Sequence, residues 1–220
     1  FADYSASGNG GILPMIMTTV YMVLVAILVA TPIGILASVY LQEYAKQGKV
    51  VRVIRFATEC LAGIPSIVYG LFGGIFFVVA LKLQYSILSG GLTVAIIILP
   101  TIIRSTEEAL KTVPSTYREA SLGLGATKFQ TLYKVILPSA IPGILSGVIL
   151  SIGRVIGESA AILLTAGTVA KMPLTVFDSA RTLTVHAYLL TKETGDIQTA
   201  CGVGIVLIVI VFGLNTIAKL

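Results

Sequence analysis

The chain has 220 residues, of which 56% are hydrophobic and only 11% are charged, and its mean hydropathy is +0.98. A soluble domain of this length needs far more polar surface, so the composition indicates an integral membrane protein. The formal net charge of +5 does not indicate nucleic-acid binding, because no basic helix or aromatic platform accompanies the lysines and arginines.

The opening residues are polar and lack the basic stretch of a signal peptide. We predict an external N-terminal segment over 1–13 and one transmembrane domain over 14–220. Cys60 and Cys201 fall in different apolar runs and are interpreted as ordinary helix residues. No CxxC, HExxH or histidine cluster occurs, so the sequence predicts no metal site.

Five apolar stretches are long enough to cross a membrane, which takes about 20 residues. They cover about 14–40, 60–82, a run that starts near Gly91, 139–167 and 199–218. Pro14 suits a helix start, and Pro32 predicts a kink in the first span. The sequence therefore predicts an all-α membrane protein with five spans.

The basic residues are unequally divided between the two sides of these spans. One side has the cytoplasmic candidates Lys46, Lys49, Arg52, Arg55, Arg104, Lys111, Arg118, Lys128, Lys134 and Lys219, whereas the other has only Lys171, Arg181 and Lys192. The positive-inside rule places the first group in the cytoplasm and the loop 168–198 outside. Five spans with an external start lead us to expect a preceding sixth span that this sequence lacks.

The external loop 168–198 is long and contains an amphipathic run, RTLTVHAYLL. Two interpretations are open. The loop packs against the outer membrane face or meets an external partner, or it is a capping loop.

The cytoplasmic stretch 114–138 has the pattern of two short helices. Thr116 and Glu119 have capping-box spacing, Gly125 suits the position after a helix end, and Thr127 with Gln130 repeats the capping box. A short helix held outside the bilayer at about 115–125 is a candidate docking element.

Leu122, Leu124 and Phe129 are expected to fill a groove on a partner, and Arg118 and Glu119 to pair with its charges. Glu119, Ala120 and Ser121, followed by Gly125 and then by Leu137-Pro138, are spaced as in the EAA motif of ABC-importer permeases. The chain resembles that family, with Ser121 in place of an alanine and Val135 in place of an isoleucine. In the family this loop is the coupling helix that sits in a cleft of the cytoplasmic ATPase. The resemblance therefore assigns ATPase coupling to Arg118, Glu119, Ala120, Ser121, Leu122 and Gly125.

Further stretches resemble the phosphate permeases of that family, the PstA type. They include GIPSIVYGLFG, IGRVIGESAAILLTAG and FDSARTLTVHAYLL, and they are spread over nearly the whole chain. The resemblance implies a type I ABC-importer transmembrane domain in the bacterial inner membrane, with six spans in the full protein. It also implies a PstC-like permease partner, two copies of a PstB-like ATPase that binds ATP and Mg²⁺, and an external PstS-like phosphate-binding protein. No cofactor is expected in this chain.

The fourth predicted span contains two charges, Arg154 and Glu158. Each costs roughly 2.5–3.5 kcal/mol at mid-membrane, so both are expected to face protein or water. On a continuous helix they share a stripe of small and polar residues, namely Ala140, Gly143, Gly147, Ser151, Arg154, Glu158, Ala161 and Thr165. Arg154 and Glu158 either neutralise each other at i,i+4 spacing or line a pathway for an anion, together with Ser151.

Arg104 lies about 20 Å into the third span and is either a second pathway cation or a residue that snorkels to the surface. Three functions compete. The coupling motif favours a permease subunit driven by ATP hydrolysis in a partner, for phosphate or for another oxyanion such as sulfate or molybdate. An ATP-independent anion transporter leaves that motif unexplained, and an intramembrane enzyme lacks paired aspartates, a metal motif or a histidine in a span.

Overall fold

A computed structural model describes residues 11–46 and 48–217, and all regular structure in these two ranges is helical. Most of the predicted segment 1–13, and Lys219, therefore lie outside the described residues. The helices are α1 (Leu13–Val39), α2 (Lys49–Ala62), α3 (Ser66–Gly73), α4 (Ile87–Thr112), α5 (Ser115–Gly123), α6 (Lys128–Thr131), α7 (Leu137–Gly157), α8 (Ala160–Leu163), α9 (Leu183–Leu189) and α10 (Ile197–Ile217). π-helical turns extend α1 (Tyr40–Tyr44), α3 (Gly74–Ala80) and α9 (Leu190–Thr194), and another joins α6 to α7 (Leu132–Ile136).

The predicted all-α membrane architecture is confirmed. Within the described ranges, four stretches are long and apolar enough to cross a membrane, namely Leu13–Tyr44, Ile87–Thr112, Lys128–Gly157 and Ile197–Thr216. They correspond to the first, third, fourth and fifth predicted spans. The third predicted span begins at Ile87, where the Ser86 side chain accepts a hydrogen bond from the Ser89 amide and caps the helix.

The second predicted span, 60–82, is not one straight helix. α2 and the α3 segment, Ser66–Ala80, meet at a bend of 98°, and counting the pair as one broken span brings the total to five. The break falls at Gly63 and Pro65, because proline lacks an amide proton and pushes the preceding residue out of the α conformation. The Tyr69 hydroxyl donates to the Leu61 carbonyl across the bend, at 2.7 Å.

The fourth predicted span is also shorter than expected. α7 ends at Gly157 instead of continuing to about residue 167, and Glu158 has an extended conformation with ψ of 132°. The apolar run after Glu158 forms the short helix α8 and a turn. Hydrophobic periodicity does not reveal such a break, since the residues on both sides of it are apolar.

α4 is the central helix, and α1, α2, α3 and α7 all pack against it. Small residues allow the close approach. A Cβ on Gly34 of α1 would lie 2.7 Å from the Cγ2 of Ile102, and one on Gly147 of α7 would overlap the Ser105 hydroxyl. Gly34 and Gly147 therefore set the distance of α1 and α7 from α4.

The loop 168–198, which is predicted to be external, packs on its own chain. Leu183, Val185 and His186 of α9 are buried, and the Leu183 amide donates to the Thr19 hydroxyl of α1 at 3.1 Å. Burial, together with the nearby Arg181 charge, lowers the pKa of His186 to about 4. The loop thus packs against the N-terminal part of α1, as the second of the two interpretations of its sequence, a capping loop, predicts.

Candidate translocation and coupling sites

Arg154 lies in the last turn of α7, inside a membrane-spanning stretch. Its side chain is exposed on the surface of this chain, and its Nη1 lies 3.4 Å from the Oγ1 of Thr101 on α4. None of the ion pairs within residues 11–46 and 48–217 includes Arg154. A guanidinium at this depth that is accessible and has no carboxylate beside it is available to an anion.

Glu158 does not neutralise Arg154. Its Oε1 accepts hydrogen bonds from the backbone amides of Ser159 (3.1 Å) and Ala161 (3.3 Å), at the start of α8. The carboxylate therefore satisfies amides that the helix break would otherwise leave unpaired. The expected i,i+4 pair is absent from the ion pairs of the described residues, because Glu158 has left the helix on which that spacing was counted.

The predicted stripe of small residues exists only within α7, which ends at Gly157. Its glycines, Gly143 and Gly147, face α4. A Cβ on Gly143 would lie 2.7 Å from the Cβ of Ala109, so backbone and side chain are in close contact there. Ser151 is fully buried and donates to the Gly147 carbonyl at 2.9 Å. In this structure Ser151 therefore belongs to the helix contact, and its geometry does not support contact with a passing anion.

Arg104 follows Thr101 by one turn of α4 and lies on the same side of that helix. Its side chain is 65% exposed, and its contacts with Glu59 (3.9 Å) and Glu108 (3.8 Å) are long. Ion pairs this exposed contribute little to stability, so Arg104 remains accessible. Thr101 of α4 thus lies next to Arg154 of α7, and Arg104 lies one turn further along α4.

A cavity of about 170 Å³ lies between α2 and α4 beside Arg104. Within it, the Nε of Arg55 lies 3.2 Å from the Oε2 of Glu107, and the Lys111 ammonium lies 4.0 Å from the same oxygen. Glu107 is buried. The sequence offers no signal for this contact, because Arg55 and Glu107 are 52 residues apart.

The cytoplasmic segment forms the predicted pair of short helices, with one correction. α5 begins after Pro114 and has no side-chain cap, so the Thr116 capping box was wrong. Proline fixes its own φ and lacks an amide proton, so it starts the helix without such a cap. The second box is confirmed, since the Thr127 amide donates to the Gln130 Oε1 at 2.9 Å and the Gln130 amide to the Thr127 hydroxyl at 3.3 Å. Gly125 has φ of +84°, as its predicted position after the helix end requires.

The surface of this helix pair is apolar and exposed. Leu124 is 90% exposed, Leu122 and Phe129 are also exposed, and the rings of Phe129 and Tyr133 stack at 6.3 Å. Glu119 and Ala120 face outward as well. Exposed apolar side chains on a short helix outside the membrane are typical of a surface that meets another protein.

Arg118 has its ion-pair partner within this chain. Its Nη2 lies 2.8 Å from the Oε1 of Glu43, in the π-helical end of α1, and 3.1 Å from the Leu110 carbonyl. The sequence predicts that Arg118 pairs with a charge on a partner, whereas in the structure Arg118 forms an ion pair with Glu43 of the same chain. Glu43 was not among the predicted site residues.

Several apolar spans, one of them broken, together with an exposed pair of short helices, define a multi-pass membrane protein. The chain belongs to the family of binding-protein-dependent transport system inner membrane components, which matches residues 30–220. The predicted resemblance to ABC-importer permeases is thereby confirmed, and the chain is a multi-pass protein of the inner membrane.

Curated relatives cover most of the chain. It is 38% identical over 200 residues to the probable ABC transporter permease protein YqgI of Bacillus subtilis, covering 85% of this chain and 68% of the relative. It is 37% identical over 209 residues to the phosphate transport system permease protein PstA of Mycobacterium leprae, covering 94% and 68%. PstA 1 of Mycobacterium tuberculosis is 35% identical over 214 residues, with 96% and 70% covered.

Solved structures confirm the fold. The methionine ABC transporter MetNI in an inward-facing conformation matches with a TM-score of 0.73 at 21% identity, covering 95% of this chain and 91% of that chain. A bacterial alginate ABC transporter matches with a TM-score of 0.72 at 13% identity, covering 94% and 76%. At these identities the likeness concerns the fold, which is that of a type I importer transmembrane domain.

The chain is a transport subunit, since its relatives are permease proteins and the ATPase of such transporters is a separate subunit. Membership in this family implies three kinds of partner, namely a second permease, an ATPase and a binding protein.

Proposed function

We propose that this chain is the transmembrane permease subunit of an ATP-driven phosphate importer and forms half of its translocation pathway. The relatives named as phosphate transport permeases support the choice of substrate. The observation that carries the proposal is the accessible guanidinium of Arg154 in a membrane-spanning stretch, with Glu158 turned to backbone amides.

Arginine suits this substrate for two reasons. Its planar fork donates two parallel hydrogen bonds to phosphate oxygens, and it does not lose its proton at any physiological pH. Thr101 beside it adds a hydroxyl that can donate to the same anion. Arg104, one turn further along α4, then offers a second cation beside the cavity between α2 and α4.

The segment at about 115–125 is, in this proposal, the coupling helix that docks on the ATPase. The exposure of Leu122, Leu124, Glu119 and Ala120 supports that role, because exposed side chains are available to a partner. The partners are then a PstC-like permease, two copies of a PstB-like ATPase and an external PstS-like binding protein. ATP and Mg²⁺ bind to the ATPase, and this chain itself holds no cofactor.

The test is uptake of radiolabelled phosphate by proteoliposomes that contain the assembled complex, with phosphate, sulfate or molybdate as unlabelled competitor. We expect competition by phosphate, dependence on ATP, and a loss of about tenfold or more in Arg154→Gln, because a charged hydrogen bond to the substrate is removed. Arg154→Lys tests whether charge without the planar fork suffices. Lys82→Gln, at an exposed position just after the π-helical turn Gly74–Ala80, is the matched control for loss of a positive charge.

Failure to take up phosphate, together with ATP-dependent uptake of radiolabelled sulfate or molybdate, would reassign the substrate to another oxyanion. Uptake without ATP or ATPase would contradict the importer mechanism. Normal uptake by Arg154→Gln would remove Arg154 from the pathway.

Docking is tested separately by co-purification of the ATPase with Glu119→Lys. We expect the ATPase to be lost, because the new charge lies on the exposed face of α5. An unchanged amount of ATPase would contradict the assignment of this face.

A further inference from the structure

α5 is attached to the rest of the chain in an unusual way, because none of its residues is buried. Seven of its nine residues are exposed, and the two exceptions are Arg118 and Ser121. These two are three positions apart and therefore lie on the same side of the helix. The least exposed side chains of α5 are thus two polar ones, and both contact other parts of the chain.

The first of these attachments joins three elements. The guanidinium of Arg118 lies 2.8 Å from the Glu43 Oε1 at the end of α1. The same group donates to the carbonyls of Leu110 (3.1 Å) and Val113 (3.4 Å), where α4 ends. Carbonyls at a helix C-terminus lack partners within the helix, so the arginine also caps α4.

This pair differs from an ordinary surface ion pair. The side chains of Arg118 and Glu43 are 26% and 17% exposed, so solvent screens them less than it screens the contacts of Arg104. The two residues are 75 positions apart, so the contact fixes tertiary structure and not a local turn.

The second attachment leads to α7. The Ser121 hydroxyl lies 2.9 Å from that of Thr131, the last residue of α6. From there the chain continues as helix through the π-helical turn Leu132–Ile136 into α7, whose last turn contains Arg154. Both attachments therefore connect α5 to helices that cross the membrane.

We propose that the Arg118–Glu43 pair is the joint that transmits displacement of α5 to α1 and α4, with Ser121–Thr131 as the parallel connection to α7. The inference rests on the proposed docking of the ATPase on α5. Arg118 and Glu43 are then positioning residues of the transport cycle. They connect ATP hydrolysis to movement of the spans without contacting either the substrate or the ATP.

The test compares phosphate transported per ATP hydrolysed in the assembled, reconstituted complex for Glu43→Gln, Arg118→Gln and the double variant. We expect Glu43→Gln, which changes no residue of α5, to retain the ATPase and its hydrolysis rate. Uptake per ATP is expected to fall about fivefold or more in each single variant. The double variant should lose no more than either single one, because the two residues act as one unit. Arg52→Gln, an exposed arginine of α2 on the same face of the membrane, is the control and should keep the wild-type ratio.

Three results would contradict this role of the Arg118–Glu43 pair. The first is an unchanged uptake per ATP in Glu43→Gln, and the second is additive losses in the double variant. The third is release of the ATPase by Glu43→Gln, which would mean that the pair is needed for assembly of the complex. Failure of the proposed substrate is distinguishable from these. In that case the wild-type complex imports another oxyanion instead of phosphate, and the ratio is measured with that anion.

Discussion

The external loop 168–198 and the cytoplasmic segment that contains α5 both connect spans and both contain short helices, yet they relate to the protein in opposite ways. The external helix α9 buries Leu183, Val185 and His186 against neighbouring helices. The cytoplasmic helix α5 buries nothing and is held by Arg118 and Ser121. A segment held by apolar burial is part of the fold, whereas one held by polar contacts at its edge is free to present its surface.

The largest expected effect is on the external side. Leu183→Ala removes a side chain that is 1% exposed and is expected to destabilise the protein by about 2–5 kcal/mol. Thermal unfolding of the detergent-purified protein, followed by its loss from the monodisperse peak, measures the change. A melting temperature equal to that of the wild type would mean that the external loop is not part of the core.

The next effect depends on pH. The folded-state pKa of His186 is about 4, below its ordinary 6.5, because burial and the nearby Arg181 disfavour the charged ring. The unfolded chain therefore binds the proton more readily. Stability from this residue is fully present above about pH 6.5 and is lost as pH falls towards 4, by up to about 3 kcal/mol.

Unfolding of wild type and His186→Gln between pH 4 and pH 7 measures this difference. The variant should show a smaller dependence on pH across that interval. Identical pH profiles would show that His186 is accessible to protons in the folded protein.

A smaller effect is expected in the cytoplasmic segment. Thr127→Ala removes the capping box of α6 and should cost about 1 kcal/mol, confined to that helix. Hydrogen exchange at the amides of residues 128–131 measures it. Faster exchange throughout α7 as well would mean that the capping box stabilises the whole span.

The smallest effect on stability belongs to Leu124→Ala, the counterpart of Leu183→Ala. Since Leu124 is 90% exposed, the free energy of unfolding should change by no more than about 0.5 kcal/mol. The affinity of the Leu124→Ala variant for the ATPase should nevertheless fall, because the Leu124 side chain belongs to the proposed docking surface. A large loss of stability would show that Leu124 is covered by its own chain.

Much of this organisation was predictable from local sequence patterns. The spans at α1, α4 and α10 followed from apolar length, and the Thr127–Gln130 box and Gly125 turn followed from residue spacing. The fold and family that the EAA-like spacing implied are also confirmed. These features depend on residues close together in the chain, so their signals survive in the sequence.

The errors lie where distant residues meet. Ending α7 at Gly157 required Glu158 to find the amides of α8, which a helical periodicity does not foresee. Likewise, the ion pairs Arg55–Glu107 and Arg118–Glu43 join residues that are far apart in the sequence.

The sequence by itself determined that this is an all-α membrane protein and that two short helices precede α7. These are consequences of hydropathy and local backbone preference. Only the tertiary structure decided which charges are paired, and with whom. The energy of a charge depends on its burial and on neighbours from other helices. Arg154 has a hydroxyl neighbour and remains accessible, whereas Arg118 forms an ion pair with Glu43 of the same chain.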